Sequence, residues 1–257
     1  MSTKSTISLV LPVFNEEENI EHAVQLCGAA LAQYSRDYEI IVVDDASTDR
    51  SAAIVERLRK EDSHLVLIRH STNQKLGAAL RSGFSAARMA LVLYMDADLP
   101  VDPNDIGRAL RAMEVTRADV IAGYRFDRTT EGVQRSIYSS VYNGLIGLLF
   151  GMPYRDINFA FKLMKAEVLD AIELKSEGSL IDAELILKAK NLGFTVQQVG
   201  LDYFPRSKGR SSLSSPGVIF KIFRELFLLY PDIRHPRRKS SAEHRVPDTS
   251  PPEILGR

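Results

Sequence analysis

Asp96 and Asp98 flank Ala97 directly after the apolar run Leu91 to Met95, so two carboxylates emerge together where a buried segment ends. Like charges that close need a cation. A hard divalent ion, Mg2+ or Mn2+, takes oxygen ligands from one or two carboxylates and fills its other positions with diphosphate oxygens. Such an ion neutralises charge on a departing diphosphate. The plainer explanation of an isolated Asp-x-Asp is a solvated loop, or a cap for the helix that follows Pro103. Two companion clusters after apolar runs weigh against it: Pro12-Val13-Phe14-Asn15-Glu16 and Asp44-Asp45-Ala46-Ser47.

Each cluster has its own chemistry. Asp44 follows Ile40 to Val43, where a carboxylate can accept hydrogen bonds from a nucleobase edge and would favour the ring N–H groups of uracil or guanine. Asp45, Ser47 and Thr48 are candidates to cap the next helix, and at least one is expected to do so. The turn from Asn73 to Gly77 precedes a helix, so Lys75 and nearby backbone N–H groups can approach phosphate or ribose. Asp182 is the carboxylate that could serve as general base for a sugar hydroxyl acceptor; with Glu184 it could equally begin a helix ending near Gly193. Arg206, Lys208 and Arg210 suit an acceptor that is already anionic and needs cations rather than a base.

These residues need a scaffold that brings strand ends together. Ile7 to Val13, Tyr38 to Val43, Leu65 to Ile68, Leu91 to Met95 and Val120 to Ala122 read as strands separated by helical stretches, which predicts βαβ units and a mainly parallel sheet. Ligands of such sheets bind beyond the carboxyl ends of the strands, where the three clusters lie. Asp102 before Pro103 predicts a helix from Pro103 to about Met113. The second half has a different texture. Val141 to Gly151 is apolar and glycine-spaced, a polar break follows, a helix is expected from about Asp182 to Asn191, and a strand near Val199 to Phe204.

The chain has 257 residues with 33 basic and 33 acidic side chains, so no global field favours nucleic acid. The charge is uneven, however: Arg206 to Lys239 holds nine Lys or Arg against two acids. That excess suits a phosphate or a membrane surface as well as a solvated face. One cysteine, Cys27, excludes an internal disulfide and reads as a buried thiol in a reducing, cytosolic compartment. The five histidines are scattered, with none at metal-ligand spacing. The N-terminus lacks a signal-peptide pattern, and no apolar run approaches the roughly 20 residues needed to span a bilayer.

Taken in order, Leu11-Pro12-Val13-Phe14-Asn15-Glu16, Val42 to Asp49, Asn73 with Gly77 to Ala79, Met95 to Leu99, Gly123-Tyr124-Arg125, Asp156 to Phe161, Asp182-Ala183-Glu184 and Arg206 with Gly209 and Ser211 resemble the inverting family-two glycosyltransferases, and within them the polyprenyl-phosphate mannosyl- and glucosyltransferases. The resemblance implies an α/β GT-A fold, Rossmann-like. It implies nucleotide contact by Pro12, Glu16 and Asp44, and metal and diphosphate contact by Asp96 and Asp98. It assigns contact with the lipid phosphate or the diphosphate to Arg125, Arg135 and Arg206. The chain departs from the dolichyl-phosphate pattern at Ser211-Ser212, where those enzymes usually carry Ser-Lys.

The reading is therefore a transferase domain over residues 1–214 that uses Mg2+ or Mn2+ and a UDP- or GDP-hexose donor. Asp98, Asp182, Arg125 and Arg206 are its candidate catalytic residues. Pro12, Asn15, Glu16, Asp44, Asp45, Lys75, Asp96, Ala97 and Asp98 are its candidate donor site, and Arg125, Arg135, Arg206 and Ser211 its acceptor-phosphate site. A polyprenyl phosphate acceptor places the protein at the inner face of the cytoplasmic membrane. Residues 215–233, with a helix from Val218 to Tyr230, are expected to lie on that surface, or to pack as a core helix. Residues 234–257 carry four prolines and read as a disordered tail. A soluble transferase acting on a saccharide, and a non-catalytic nucleotide-sugar-binding protein, are the alternatives.

Overall fold

The computed structural model describes residues 5–126, 133–151, 154–204 and 216–239, leaving aside the side chains of 133–141 and 216–223. The order is β1 (Thr6–Val13), α1 (Ile20–Tyr34), β2 (Asp37–Asp44), α2 (Ser51–Arg59), β3 (Leu65–Arg69), α3 (Lys75–Ala86), β4 (Leu91–Met95), α4 (Asp105–Thr116), β5 (Val120–Arg125), α5 (Val133–Phe150), β6 (Phe161–Lys165), α6 (Ala166–Ala171), α7 (Ile181–Asn191), β7 (Val196–Leu201) and α8 (Pro216–Arg234). The seven strands form one sheet in the order β3-β2-β1-β4-β6-β5-β7. Its strands pair in parallel except β6, which runs antiparallel to both β4 and β5.

Alternation along the central strands explains the layers, because successive side chains point to opposite faces. Leu9, Leu11, Ile40, Val42, Leu93 and Met95 pack under α1, α2 and α4, with Cys27 in that core. Burial alone pushes the Cys27 thiol up to about 12, which makes it an inert packing residue. Val10, Ile41, Val43, Val92 and Tyr94 face the other way, beneath α3, α5, α7 and α8. Runs apolar on both faces are what a sheet covered by helices on both sides requires.

The departures from the sequence expectations have local causes. β6 was read as part of a polar break, because Lys162 interrupts its apolar run; the lysine is neutralised by a partner twenty positions away. β7 begins at Val196 rather than Val199, because Gln197 and Gln198 are polar, and an edge strand needs no second apolar neighbour. α4 starts at Asp105, since Asp102 caps by accepting the Asn104 N–H at 2.9 Å and the first turn is closed by Asp105 N–H to Asp102 O. α8 continues through Pro231 to Arg234. Of the tail expected over 234–257, residues 240–257 lie outside the described residues, and 234–239 lie against the body. Lys239 N–H donates to Ala171 O at 3.1 Å and Arg238 stacks 5.4 Å from the Phe194 ring, so the chain stays on the body through residue 239.

Candidate active site

The site begins where β1 and β2 end side by side, with Val13 paired to Asp44. β4 is the other neighbour of β1, with Val10 opposite Tyr94, so continuing the register sets Asp96 level with Pro12. β1 lies between β2 and β4, at the point where the chain reverses its direction of travel across the sheet. Crevices of open α/β sheets form there.

Three interlocked loops line this edge. Asn15 adopts a left-handed φ of 57°, and its side-chain oxygen accepts the Thr48 N–H at 2.8 Å; its own N–H donates to Ser47 Oγ at 2.9 Å. Glu16 N–H donates to Ser51 Oγ at 2.8 Å, and its carboxylate accepts from Asn19 Nδ2 at 2.7 Å. Asn15 and Glu16 thus brace the two loops against each other. The helix cap expected from Asp45, Ser47 or Thr48 comes instead from Asp49, which accepts the Ser51 N–H at 2.9 Å.

Asp44 is fully buried, and its Oδ1 accepts the Ser47 N–H at 3.1 Å while Arg69 Nε lies 3.4 Å from Oδ2. Asp45 was read as a donor contact, but its oxygens have another task. They accept the Gln74 and Lys75 N–H groups at 2.8 and 2.7 Å and meet His70 Nδ1 at 2.7 Å, with His70 Nε2 at 2.9 Å from Ser82 Oγ. Asp45 and His70 therefore shape the turn that presents Lys75, whose φ of 71° is left-handed. Such a backbone costs an ordinary residue of order 1 kcal/mol and needs this support.

On β4 the Asp96-Ala97-Asp98 turn is closed by Leu99 N–H to Asp96 O at 3.3 Å, with Leu99 at φ 52°. Ala97 is buried and the two aspartates are half-buried. Tyr94 OH donates to Asp96 Oδ1 at 3.4 Å. Burial first, then the charges of Asp182, Asp96 and Asp98, raise the Tyr94 hydroxyl well above its ordinary value, so it remains a donor. Among the described residues no group of three His, Cys, Asp or Glu side chains could hold a metal alone. Asp96 and Asp98 are the carboxylates that could hold a hard divalent ion such as Mg2+ or Mn2+, which takes oxygen ligands.

Behind β4 lie two buried ion pairs. Arg125 Nε and Nη2 meet Asp156 at 2.6 Å each, beneath the rings of Phe159 and Tyr203. Arg125 was expected to hold phosphate; its fork is directed at Asp156. Lys162, between Tyr94 and Ala122 in the sheet, is paired with Asp182 on α7 and donates to Phe159 O at 2.7 Å. Burial raises the Asp182 carboxyl more than Lys162 lowers it. Glu184, also in the first turn of α7, accepts the Lys175 and Ser176 N–H groups. Arg206 and Ser211 lie outside the described residues, as does the Arg135 side chain.

His70 and Lys162 escaped the sequence reading. A lysine inside an otherwise apolar run, Phe161 to Met164, was the available signal for Lys162. Nothing local marks His70, which follows β3 while its partner Asp45 follows β2.

In three dimensions the chain is similar to glucosyl-3-phosphoglycerate synthase from Mycobacterium tuberculosis, solved with Mn2+, uridine-diphosphate-glucose and phosphoglyceric acid, at a TM-score of 0.70 and 17% identity over 88% of this chain and 80% of that one. It is similar also to mannosyl-3-phosphoglycerate synthase from Rubrobacter xylanophilus, at 0.69 and 18% over 98% and 80%. These likenesses show the fold, which is GT-A. In sequence it is 32% identical to dodecaprenyl-phosphate galacturonate synthase from Rhizobium johnstonii over 66% of this chain and 51% of that one. It is 28% identical to glycosyltransferase AglD from Haloferax volcanii over 80% and 34%. With undecaprenyl-phosphate 4-deoxy-4-formamido-L-arabinose transferase from Edwardsiella ictaluri it shares 31% over 65% and 51%. The chain thus spans about half, or less, of the length of these relatives. Residues 8–172, which carry all three polar strand ends, match the model of glycosyl transferase family 2, and the chain belongs to that family.

Proposed function

We propose that this protein moves a hexose, with inversion, from a UDP- or GDP-sugar to a polyprenyl phosphate. The observation that carries the acceptor class is the state of the carboxylates behind β4: Asp182 and Asp156 are both held in buried ion pairs. A hydroxyl acceptor needs a carboxylate ready to take its proton. A phosphate monoester is already anionic and needs none. Relatives named for dodecaprenyl- and undecaprenyl-phosphate support the same class.

Asp44 and Pro12 are then the floor of the nucleotide pocket, and Lys75 reaches the ribose or diphosphate. An acceptor phosphate oxygen forms its bond to the anomeric carbon as the bond to the donor diphosphate breaks, and the nucleoside diphosphate leaves with that electron pair. Asp96 and Asp98 would hold Mg2+ or Mn2+, which when bound would supply neutralising charge for the leaving group. Arg206, Arg135 and Ser211 are the residues we assign to the acceptor phosphate, with Arg125 aligned by Asp156. Thermal denaturation with UDP- and GDP-hexoses, each with and without Mn2+, tests the donor half. At a hundred times its dissociation constant a ligand adds about 2.7 kcal/mol. For a chain of this size that amounts to a shift of roughly 5–10 °C. No shift with any nucleotide sugar would sink the reading.

The acceptor implies a membrane surface. Among the described residues no helix is long and apolar enough to cross a membrane. Yet Phe227 and Leu228 on α8 are 87% and 66% exposed, Leu148 on α5 is 81% exposed, and Arg224, Arg237, Arg238 and Lys239 are exposed along the same C-terminal stretch. Apolar side chains beside cations suit an anionic lipid interface. Exchanging Phe227 and Leu228 for aspartate is expected to reduce binding to anionic vesicles at least roughly tenfold in a sedimentation assay, since burying each side chain contributes about 1.5–3 kcal/mol. Unchanged sedimentation would remove α8 from the interface.

A further inference from the structure

Residues 173–178 join α6 to α7 and touch two parts of the molecule that the proposed function treats separately. On one side they are fastened to α8. Glu177 N–H donates to Glu225 Oε1 at 2.6 Å, Lys175 Nζ reaches Asp232 at 3.0 Å, and Lys188 binds Glu173 O at 2.7 Å while pairing with Asp232. Buried Glu184 completes the frame by accepting the Ser176 N–H at 2.8 Å.

On the other side the same residues hold the start of α3. Gly77 N–H donates to Glu177 O at 2.8 Å, Arg81 donates to Ser176 O, and Lys75 Nζ meets Glu177 Oε2 at 3.0 Å. The approach is close enough to demand glycine, because a Cβ on Gly77 would overlap the Ser176 carbonyl and lie 2.8 Å from Glu177 Cα. The exposed Lys75–Glu177 pair adds little by itself in water. What fixes the geometry is backbone packed on backbone, and that contact reaches the Lys75 turn that Asp45 holds from below.

We infer that Glu225 and Glu177 are positioning residues for the donor site: the seating of α8 sets the Lys75 turn through residues 173–178, so donor affinity depends on how α8 is held. The inference rests on the proposed role of Lys75 as a donor contact. It also gives α8 a second consequence, since anything that presses α8 onto the body, a membrane included, would tighten donor binding.

The test compares the full-length protein with Glu225→Ala, which removes the acceptor of the Glu177 N–H, and with Gly77→Ala, which breaks the contact from the other side. Amide hydrogen exchange reads local opening. The Gln74, Lys75 and Gly77 amides are expected to exchange about fivefold faster in both variants, with the β1 amides unchanged. Dissociation constants for the nucleotide sugar are expected to rise about fivefold in both, the low end of ordinary coupling between sites, with kcat at saturating donor unaltered in Glu225→Ala. Unchanged exchange at Gln74 to Gly77 overturns the inference, and so does faster exchange with unaltered donor affinity. A native protein that binds no nucleotide sugar would instead overturn the proposed function, and the exchange data would still decide whether α8 controls the turn.

Discussion

Replacing Asp98 with alanine is expected to lower turnover by about a thousandfold while the protein stays folded. The loss follows from charge. On the proposed function, without Asp98 the turn after β4 would offer only the Asp96 carboxylate to a divalent ion, and the charge that would neutralise the departing diphosphate would be misplaced. Losing about 4 kcal/mol of transition-state stabilisation gives that factor. Asp98 is half-buried in a loop beyond the last residue of β4, so its removal leaves the sheet's hydrogen bonds in place. Initial rates at saturating Mn2+, beside a melting curve by circular dichroism, separate the two effects. An Asp98→Ala protein with wild-type turnover would refute the metal assignment.

The largest effect on stability is expected from Lys162→Met. Lys162 and Asp182 are 1% and 3% exposed, and the variant leaves Asp182 as a buried charge with its cation gone. Breaking one side of such a pair costs about 3–5 kcal/mol. Here that is a fall in Tm of roughly 10 °C. Replacing both partners, Lys162→Met with Asp182→Leu, is expected to recover most of it, since apolar pairs of similar volume are often neutral exchanges. The pH dependence has a definite sign. Burial holds the Asp182 carboxyl above its unfolded value, so its ionisation opposes folding as pH rises through the native titration. The single variant's deficit should therefore shrink on acidification towards the unfolded carboxylate value of about 3.9. Paired melting curves at neutral and acidic pH check this. A Lys162→Met protein as stable as wild type at pH 7 contradicts it.

The polar edge of the sheet, where we propose the donor binds, was legible in the sequence because its signals are local. An apolar run followed at once by carboxylates marks a strand end, and β1, β2 and β4 stand within a residue or two of their expected bounds. The supports of that edge were not legible, because each depends on a partner remote in the chain. Asp45 reads as a ligand until His70 and the Gln74 and Lys75 amides claim its oxygens. Lys162 reads as a polar break until Asp182 comes back across the sheet to meet it, and with it β6 and its antiparallel direction were lost. The same holds for residues 173–178, whose composition says nothing of the α3 backbone pressed against Gly77. Helix ends failed for a smaller reason: α8 runs on through Pro231, and α4 needs a preliminary turn after Pro103.

The acceptor is tested most directly by supplying the purified protein with Mn2+, a radiolabelled nucleotide hexose and polyprenyl phosphate in detergent, and counting label in the organic phase. We expect organic-extractable label that requires both the lipid phosphate and the donor and disappears with Asp98→Ala. Label carried to a water-soluble saccharide, with none in the lipid, would contradict the account and return Asp182 to the role of base.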